Sequence, residues 1–330
     1  MQIFLRKVKS IARKDPKFIV FPESNDERIL KAVEKIVKEK FAKPILIGDK
    51  RKIKNNCKKL KLKIDWKKVV IIDQTDKTLI KKYSESLFLI RKDKGVTEKE
   101  ARNLIKDPNY FGTMMIQLGD ADGMITGATH PTANSIRPVL QIIKTREKFH
   151  KVSGIFFMVL NNKPLLFADA AITIEPNSHD LKDIAIDTAE TAKIFGIKPK
   201  IALLSFSTKG SAKDPLVDKV TEAVALIKDR RPDLIVDGEL QVDAALVPEV
   251  AKRKCPNSPL KGAANILIFP DLQSANIAYK LVERLAKAKA IGPLLQGLKK
   301  PINKLSRGCS WQDIVNVAAF TVCECQHAIK

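Results

Sequence analysis

FIVFPESNDERILKAVEKIV, residues 18–37, decides the fold class. Phe18–Phe21 is a short β-branched and aromatic run closed by Pro22, which reads as a strand. Ser24–Asn25 stands where a helix N-cap belongs. Asp26 and Glu27 follow in the first turn, where acidic groups complement the helix dipole. Ile29, Leu30, Val33, Ile36 and Val37 then return at helical spacing and share one face. The unit is strand, polar turn, amphipathic helix, and it recurs. Ile45–Ile47 and Val69–Ile72 read as further strands. Ala168–Ile174 leads to a helix near Asp180–Phe195, with Gly196 as its stop. Ile201–Phe206 opens onto Ser207–Thr208–Lys209–Gly210–Ser211, and Leu234–Val236 onto Asp237–Gly238–Glu239. Ile266–Phe269 opens onto Pro270–Asp271, ahead of a helix over Ser274–Ala288. Such alternation predicts an α/β chain with largely parallel sheets. Ligands in such sheets bind outside the C-terminal strand ends, so these polar turns mark the expected site. One stretch breaks the rule: Ile155–Leu160 and Leu165–Ala168 flank Asn161–Asn162 and predict an antiparallel hairpin.

At 330 residues with 45% apolar content, the chain is long enough for two folding units. Its apolar runs are far shorter than the ~20 residues of a membrane span, so no membrane segment is expected. The basic start, Met1–Lys14, places Phe4, Leu5, Val8, Ile11 and Ala12 at helical spacing. It reads as a first packed helix rather than a targeting peptide. Sixty Lys and Arg against 37 Asp and Glu give a formal charge of +23. That balance suits anionic partners. The charge is dispersed, however, and aromatic residues are only 6% of the chain. A nucleic-acid platform interleaves basic and stacking side chains, so no nucleic-acid partner is expected. Five unevenly placed cysteines argue against a disulfide framework and for a reducing cytoplasm. Cys323 and Cys325 lie two apart on a helical pattern and point to different faces, so no metal site is expected there.

The chain has no Walker A loop, no G-x-G-x-x-G after a strand, no G-x-S-x-G elbow and no H-E-x-x-H. Two segments carry more. Leu118–His130 sets Gly119, Gly123, Gly127 and Ala128 among hydroxyl and acidic groups. It reads either as a buried strand with tight turns or as backbone shaped for close approach to a ligand. Arg137, two residues after Ser135, reads as a surface side chain or a phosphate clamp. Ser306–Arg307–Gly308–Cys309 precedes Ser310–Trp311–Gln312–Asp313. Ser310 and Asp313 have capping-box spacing. The same loop offers free N–H groups, a helix dipole and a guanidinium, a combination that binds anions. The two readings are compatible.

Taken in order, several segments resemble the phosphate acetyltransferase family. They are Phe21–Pro22–Glu23 with Asp26–Glu27–Arg28, Gly123–Thr132, Asp169–Ala170–Ala171, Ser205–Ser211, Asp237–Asp243, Phe269–Leu272, Lys300–Asn303 and Leu305–Cys309. They span essentially the whole chain. The resemblance implies reversible acetyl exchange between acetyl phosphate and coenzyme A, giving acetyl-CoA and phosphate. Coenzyme A is then a substrate, and no bound cofactor is implied. It also implies a homodimer whose subunits have a two-domain, three-layer fold like isocitrate and isopropylmalate dehydrogenases, with a cleft between domains. Residues 1–147 with 297–330 would form one domain and 148–296 the other. By the same resemblance Ser306, Arg307 and Asp313 are catalytic, and Arg91 and Arg137 contact anionic groups. Thr129, Cys309, Asn276, Tyr279 and Lys280 would line the cleft. Three other functions compete: a phosphate butyryltransferase, a non-catalytic regulatory region of the kind attached to some malic enzymes, and a basic nucleic-acid-binding protein.

Overall fold

Residues 18–37 form a strand, a turn and a helix in the computed structural model, which describes residues 2–145 and 151–328. The chain runs α1 (Gln2–Lys14), β1 (Lys17–Phe21), α2 (Glu27–Glu39), β2 (Ala42–Ile47), α3 (Lys50–Lys59), β3 (Val70–Ile72), α4 (Lys77–Arg91), α5 (Glu98–Leu104), α6 (Pro108–Leu118), β4 (Gly123–Thr126) and α7 (Thr132–Ile142). It continues with β5 (Ser153–Leu160), β6 (Lys163–Ala168), α8 (Ser178–Ile194), β7 (Lys200–Leu204), α9 (Pro215–Arg230), β8 (Ile235–Leu240), α10 (Val242–Leu246) and α11 (Pro248–Lys254). The last elements are β9 (Ile266–Ile268), α12 (Leu272–Leu285), β10 (Lys289–Gln296), β11 (Ile302–Lys304) and α13 (Trp311–His327). The chain divides into two units. One is Leu5–Lys144 with Leu298–Lys330, and the other is Met1–Phe4 with Thr145–Gly297. The boundary expected between residues 147 and 148 lies outside the described residues.

The first unit holds a five-stranded sheet, β11-β4-β1-β2-β3, whose described pairs are all parallel. Helices cover both faces. A methyl group on Gly112 of α6 would sit 2.7 Å from the Met124 sulfur and 3.2 Å from Val20. On the other face, a methyl on Gly123 would sit 2.7 Å from Cys325 Sγ of α13. Neighbouring strand residues point to opposite faces, so strands β1 and β4 are sandwiched. Ile29, Leu30, Val33, Ile36 and Val37 of α2 are all buried, as their spacing predicts. The basic N-terminal helix buries Phe4, Val8 and Ala12. No helix among the described residues is long and apolar enough to cross a membrane.

The helix cap after β1 differs from the sequence reading. Asp26 is the N-cap, and its carboxylate accepts the Arg28 N–H at 2.8 Å. Ser24 is turned inward, where its hydroxyl donates to the Ile47 carbonyl. The cap therefore falls one residue beyond the Ser24–Asn25 pair, on a side chain of the same capping class.

The second unit holds a six-stranded sheet, β10-β5-β6-β9-β7-β8. β5 and β6 pair antiparallel across Asn161–Asn162, both at positive φ, as a tight hairpin requires. β10 also pairs antiparallel with β5, while β6, β9, β7 and β8 run parallel. The polar turn after β7 is knitted to β8, which includes Asp237–Gly238–Glu239 within the strand rather than after it. Buried Glu239 accepts from the Ser207 hydroxyl and the Gly210 N–H, and Lys209 pairs with Asp237 at 2.5 Å.

Candidate active site

Three loops leave the C-terminal ends of β1, β4 and β11, which are adjacent strands. Residues far apart in the chain therefore meet. The loop after β1 supplies Glu23, whose side chain is 1% exposed. Its carboxylate accepts the N–H groups of Gly127 (2.9 Å), Ala128 (2.7 Å), Thr129 (2.9 Å) and His130 (3.2 Å). The Thr129 hydroxyl and His130 Nδ1 complete the set, at 2.8 and 2.7 Å. Burial pushes this carboxyl up, but the donated bonds from Thr129, His130 and Ala128 outweigh it, so its pKa lies below the ordinary value. The small-residue loop after β4 is thus shaped for close approach, but to the protein's own carboxylate. Gly127, at φ +99°, also lies against β11, where a methyl would sit 3.0 Å from the Leu305 carbonyl oxygen.

The loop after β11 carries the sharpest sequence motif. The Cys309 N–H donates to the Ser306 carbonyl at 3.0 Å, closing a turn. The Gly308 N–H donates to Ser306 Oγ at 3.3 Å. Ser306 and Arg307 are exposed, whereas Cys309 and Asp313 are half-buried. At the start of α13 the capping box is complete. Ser310 Oγ accepts the Asp313 N–H at 3.2 Å, and Asp313 Oδ2 accepts the Ser310 N–H at 2.9 Å and its hydroxyl at 2.8 Å.

Arg28, in the first turn of α2, joins these loops. Its Nη1 donates to the carbonyls of Arg307 (2.7 Å) and Cys309 (3.0 Å). Its Nη2 donates to the Ala128 carbonyl and to Asp26, both at 2.8 Å. Lys304, the last residue of β11, is buried, and burial together with the Arg307 charge depresses its pKa. Burial drives the Cys309 thiol the other way, to about 11, against the opposing charge of Arg28.

Arg91 and Arg137 form a second group in the same unit. Arg91 ends α4 and Arg137 lies in α7. Both charges act on the Tyr110 hydroxyl, which donates to Gln141 Oε1 at 2.6 Å. Burial raises the Tyr110 pKa and the two guanidinium groups oppose it. The Arg91 Nε is buried without a hydrogen-bond partner among the described residues, so this arginine has donor capacity to spare.

Asn276, Tyr279 and Lys280 belong to α12 of the six-stranded unit. Tyr279 stacks on Phe156 with ring centroids 4.2 Å apart, and Lys280 Nζ lies 5.8 Å from the Tyr279 ring. Cys323 is fully buried, its Sγ against the Val8 carbonyl, and Cys325 is buried beside it in the helix. Among the described residues no three His, Cys, Asp or Glu side chains group to hold a metal ion.

Sequence reasoning gave no role to Glu23, Arg28, Lys304 or Tyr110. The first two stood in a recognised motif, but apart from Asp26 the partners described above lie a hundred or more residues away. No local spacing signals such contacts.

The family model described as "Phosphate acetyl/butaryl transferase" matches residues 3–322. A phosphate acetyltransferase of Clostridium acetobutylicum is 48% identical over 332 residues, covering 98% of this chain and 99% of that protein. A phosphotransacetylase structure from Streptococcus pyogenes superposes with a TM-score of 0.93 at 45% identity, covering 99% of both chains. The 4-hydroxythreonine-4-phosphate dehydrogenase of Klebsiella pneumoniae, at 10% identity and TM-score 0.55 over 93% of this chain and 98% of that one, shares the fold alone. With a match over nearly its whole length, the chain belongs to the phosphate acetyl/butaryl transferase family.

Proposed function

We propose that this chain transfers an acetyl group reversibly between acetyl phosphate and coenzyme A, by direct attack of the CoA thiolate in a ternary complex. One observation carries the reading: a chain 48% identical to a phosphate acetyltransferase holds a serine, an arginine and an aspartate on one loop and helix start at a parallel-strand end. In the forward step a C–S bond forms at the acetyl carbon and the C–O bond to phosphate breaks. The bonding pair leaves with phosphate, and the thiol proton passes to Asp313.

The proton step sets the difficulty. A thiol like that of cysteine ionises near pH 8.5 and an ordinary aspartate near 3.9, so full transfer costs about 6 kcal/mol. Asp313 therefore serves as base when CoA fills the site and excludes water. Ser306 donates to the carbonyl oxygen as it becomes an oxyanion, worth about 3–4 kcal/mol when well placed. Arg307, with Arg91 and Arg137, holds anionic phosphate groups. Thr129 and Cys309 border the loop. No acyl-enzyme is needed, because phosphate is already a good leaving group.

The finer properties follow the same reading: a cytoplasmic homodimer, with CoA, acetyl-CoA, acetyl phosphate and phosphate as small-molecule partners. Five free cysteines support the reducing compartment. The test is thioester formation from CoA and acetyl phosphate, with butyryl phosphate in parallel. Absence of CoA-dependent turnover on acetyl phosphate would refute the reading. Faster turnover on butyryl phosphate would move the chain to the longer acyl group.

A further inference from the structure

Four of the groups that Arg28 holds belong to three different segments of the chain. The Asp26 carboxylate takes Nε and Nη2, which leaves the rest of the fork for backbone carbonyls. Those are Ala128, Arg307 and Cys309. The last two matter because a trans peptide is planar, with its C=O and N–H on opposite sides. Each carbonyl that Arg28 grips fixes the direction of the following N–H.

The Arg307 carbonyl shares its peptide with the Gly308 N–H, which donates to Ser306 Oγ at 3.3 Å. The Cys309 carbonyl shares its peptide with the Ser310 N–H, which donates to Asp313 Oδ2 at 2.9 Å. One guanidinium therefore orients two peptide planes, and the far sides of those planes hold the hydroxyl and the carboxylate assigned to the reaction. A charged donor on a carbonyl also polarises the amide and strengthens its N–H as a donor.

We infer that Arg28 is a positioning residue for acetyl transfer, acting through the 307–308 and 309–310 peptides on Ser306 and Asp313. The inference rests on the roles proposed for those two residues. It requires the planar fork, not merely a positive charge. A lysine ammonium is a point donor on one stem and does not span the same set of carbonyls.

The test uses the full chain with Arg28→Ala, Arg28→Lys and Arg28→Gln, with Ser306→Ala and Asp313→Asn alongside. Small displacements of reacting groups cost on the order of 100-fold in rate, so kcat should fall by about that factor in all three Arg28 variants. The KM values for CoA and acetyl phosphate should stay within about threefold, since ground-state binding is not what Arg28 supplies. Guanidinium ion, added to Arg28→Ala well below denaturing concentrations, should restore part of the lost kcat. Near-parental kcat in Arg28→Ala, or full activity in Arg28→Lys, overturns the inference. So does a loss that tracks unfolding by circular dichroism and is not rescued by guanidinium. Parental turnover in Ser306→Ala and Asp313→Asn would remove the roles it rests on. Losses in those two with active Arg28 variants would overturn the positioning role alone.

Discussion

At Asp313 one carboxylate has two jobs. Oδ2 takes both the N–H and the hydroxyl of Ser310, closing the capping box, and the same side chain is the proposed base. Asparagine keeps most of the cap and removes the basicity. Asp313→Asn should therefore leave the fold intact by circular dichroism and cut turnover by at least ~100-fold, the scale of a lost general base. Near-normal turnover would end that role. Cys309 sits next door and invites a rival acyl-cysteine route. Its thiol is pushed up to about 11 by burial, so the thiolate is on the order of one part in ten thousand at neutral pH. Cys309→Ala should keep most of the turnover, and no acetyl group should be trapped on the protein. Glu23 makes a statement about stability. Its folded pKa is lowered, so it contributes stability that is fully present above the ordinary carboxylate range and is lost as pH falls through the depressed value. Glu23→Gln leaves part of a buried N–H cluster unpaired and should cost about 1–3 kcal/mol near neutrality. The gap between parent and variant should narrow as the solution is acidified below the ordinary range. A constant gap across pH would show that the charge at Glu23 is not what the loop uses.

The elements that matter most are short. β4 and β11 together contribute seven residues, yet the loops that leave them build the candidate site. Their register, Ile302 opposite Met124 and Lys304 opposite Thr126, sets Leu305 beside Gly127. Gly127→Ala would force an L side chain into φ +99° and crowd the Leu305 carbonyl. Strain of this kind costs about 1–3 kcal/mol. The variant should lower the midpoint of unfolding and, because the β11 loop moves, kcat as well. An unchanged midpoint would mean that the two loops do not press on each other. The capping box of α13 was legible from sequence because Ser310 and Asp313 are three residues apart. The cap of α2 lies one residue beyond the Ser24–Asn25 pair, and Ser24 is instead bonded to Ile47 across the sheet, a contact with no local spacing.

For the whole molecule, a formal charge of +23 suits anionic substrates, and it is spread along the chain rather than gathered into one basic stripe. The exposed apolar residues include one helical stripe. Ile277, Leu281 and Leu285 repeat every four residues on α12 and are 58%, 52% and 79% exposed. Contiguous apolar stripes on a helix favour burial against another chain. Sedimentation at equilibrium should give twice the chain mass, and Leu281→Glu should shift the protein toward monomer. A monomeric parent across the micromolar range would count against the homodimer.

The sequence by itself determined the α/β class, the β1–α2 unit, the β5–β6 hairpin, the buried face of α2 and the capping box of α13. All of these are local: side chains repeat at the period of the element, or pair within four residues. With the resemblance it also determined the reaction. Only the tertiary structure decided the strand orders, the use of the Gly127 loop by Glu23 and the meeting of three strand-end loops. Arg28 shows this plainly, since its carbonyl partners lie up to 281 residues away. Parallel strands that are neighbours in space are joined through long crossovers, so their loop contacts have no fixed spacing in the chain.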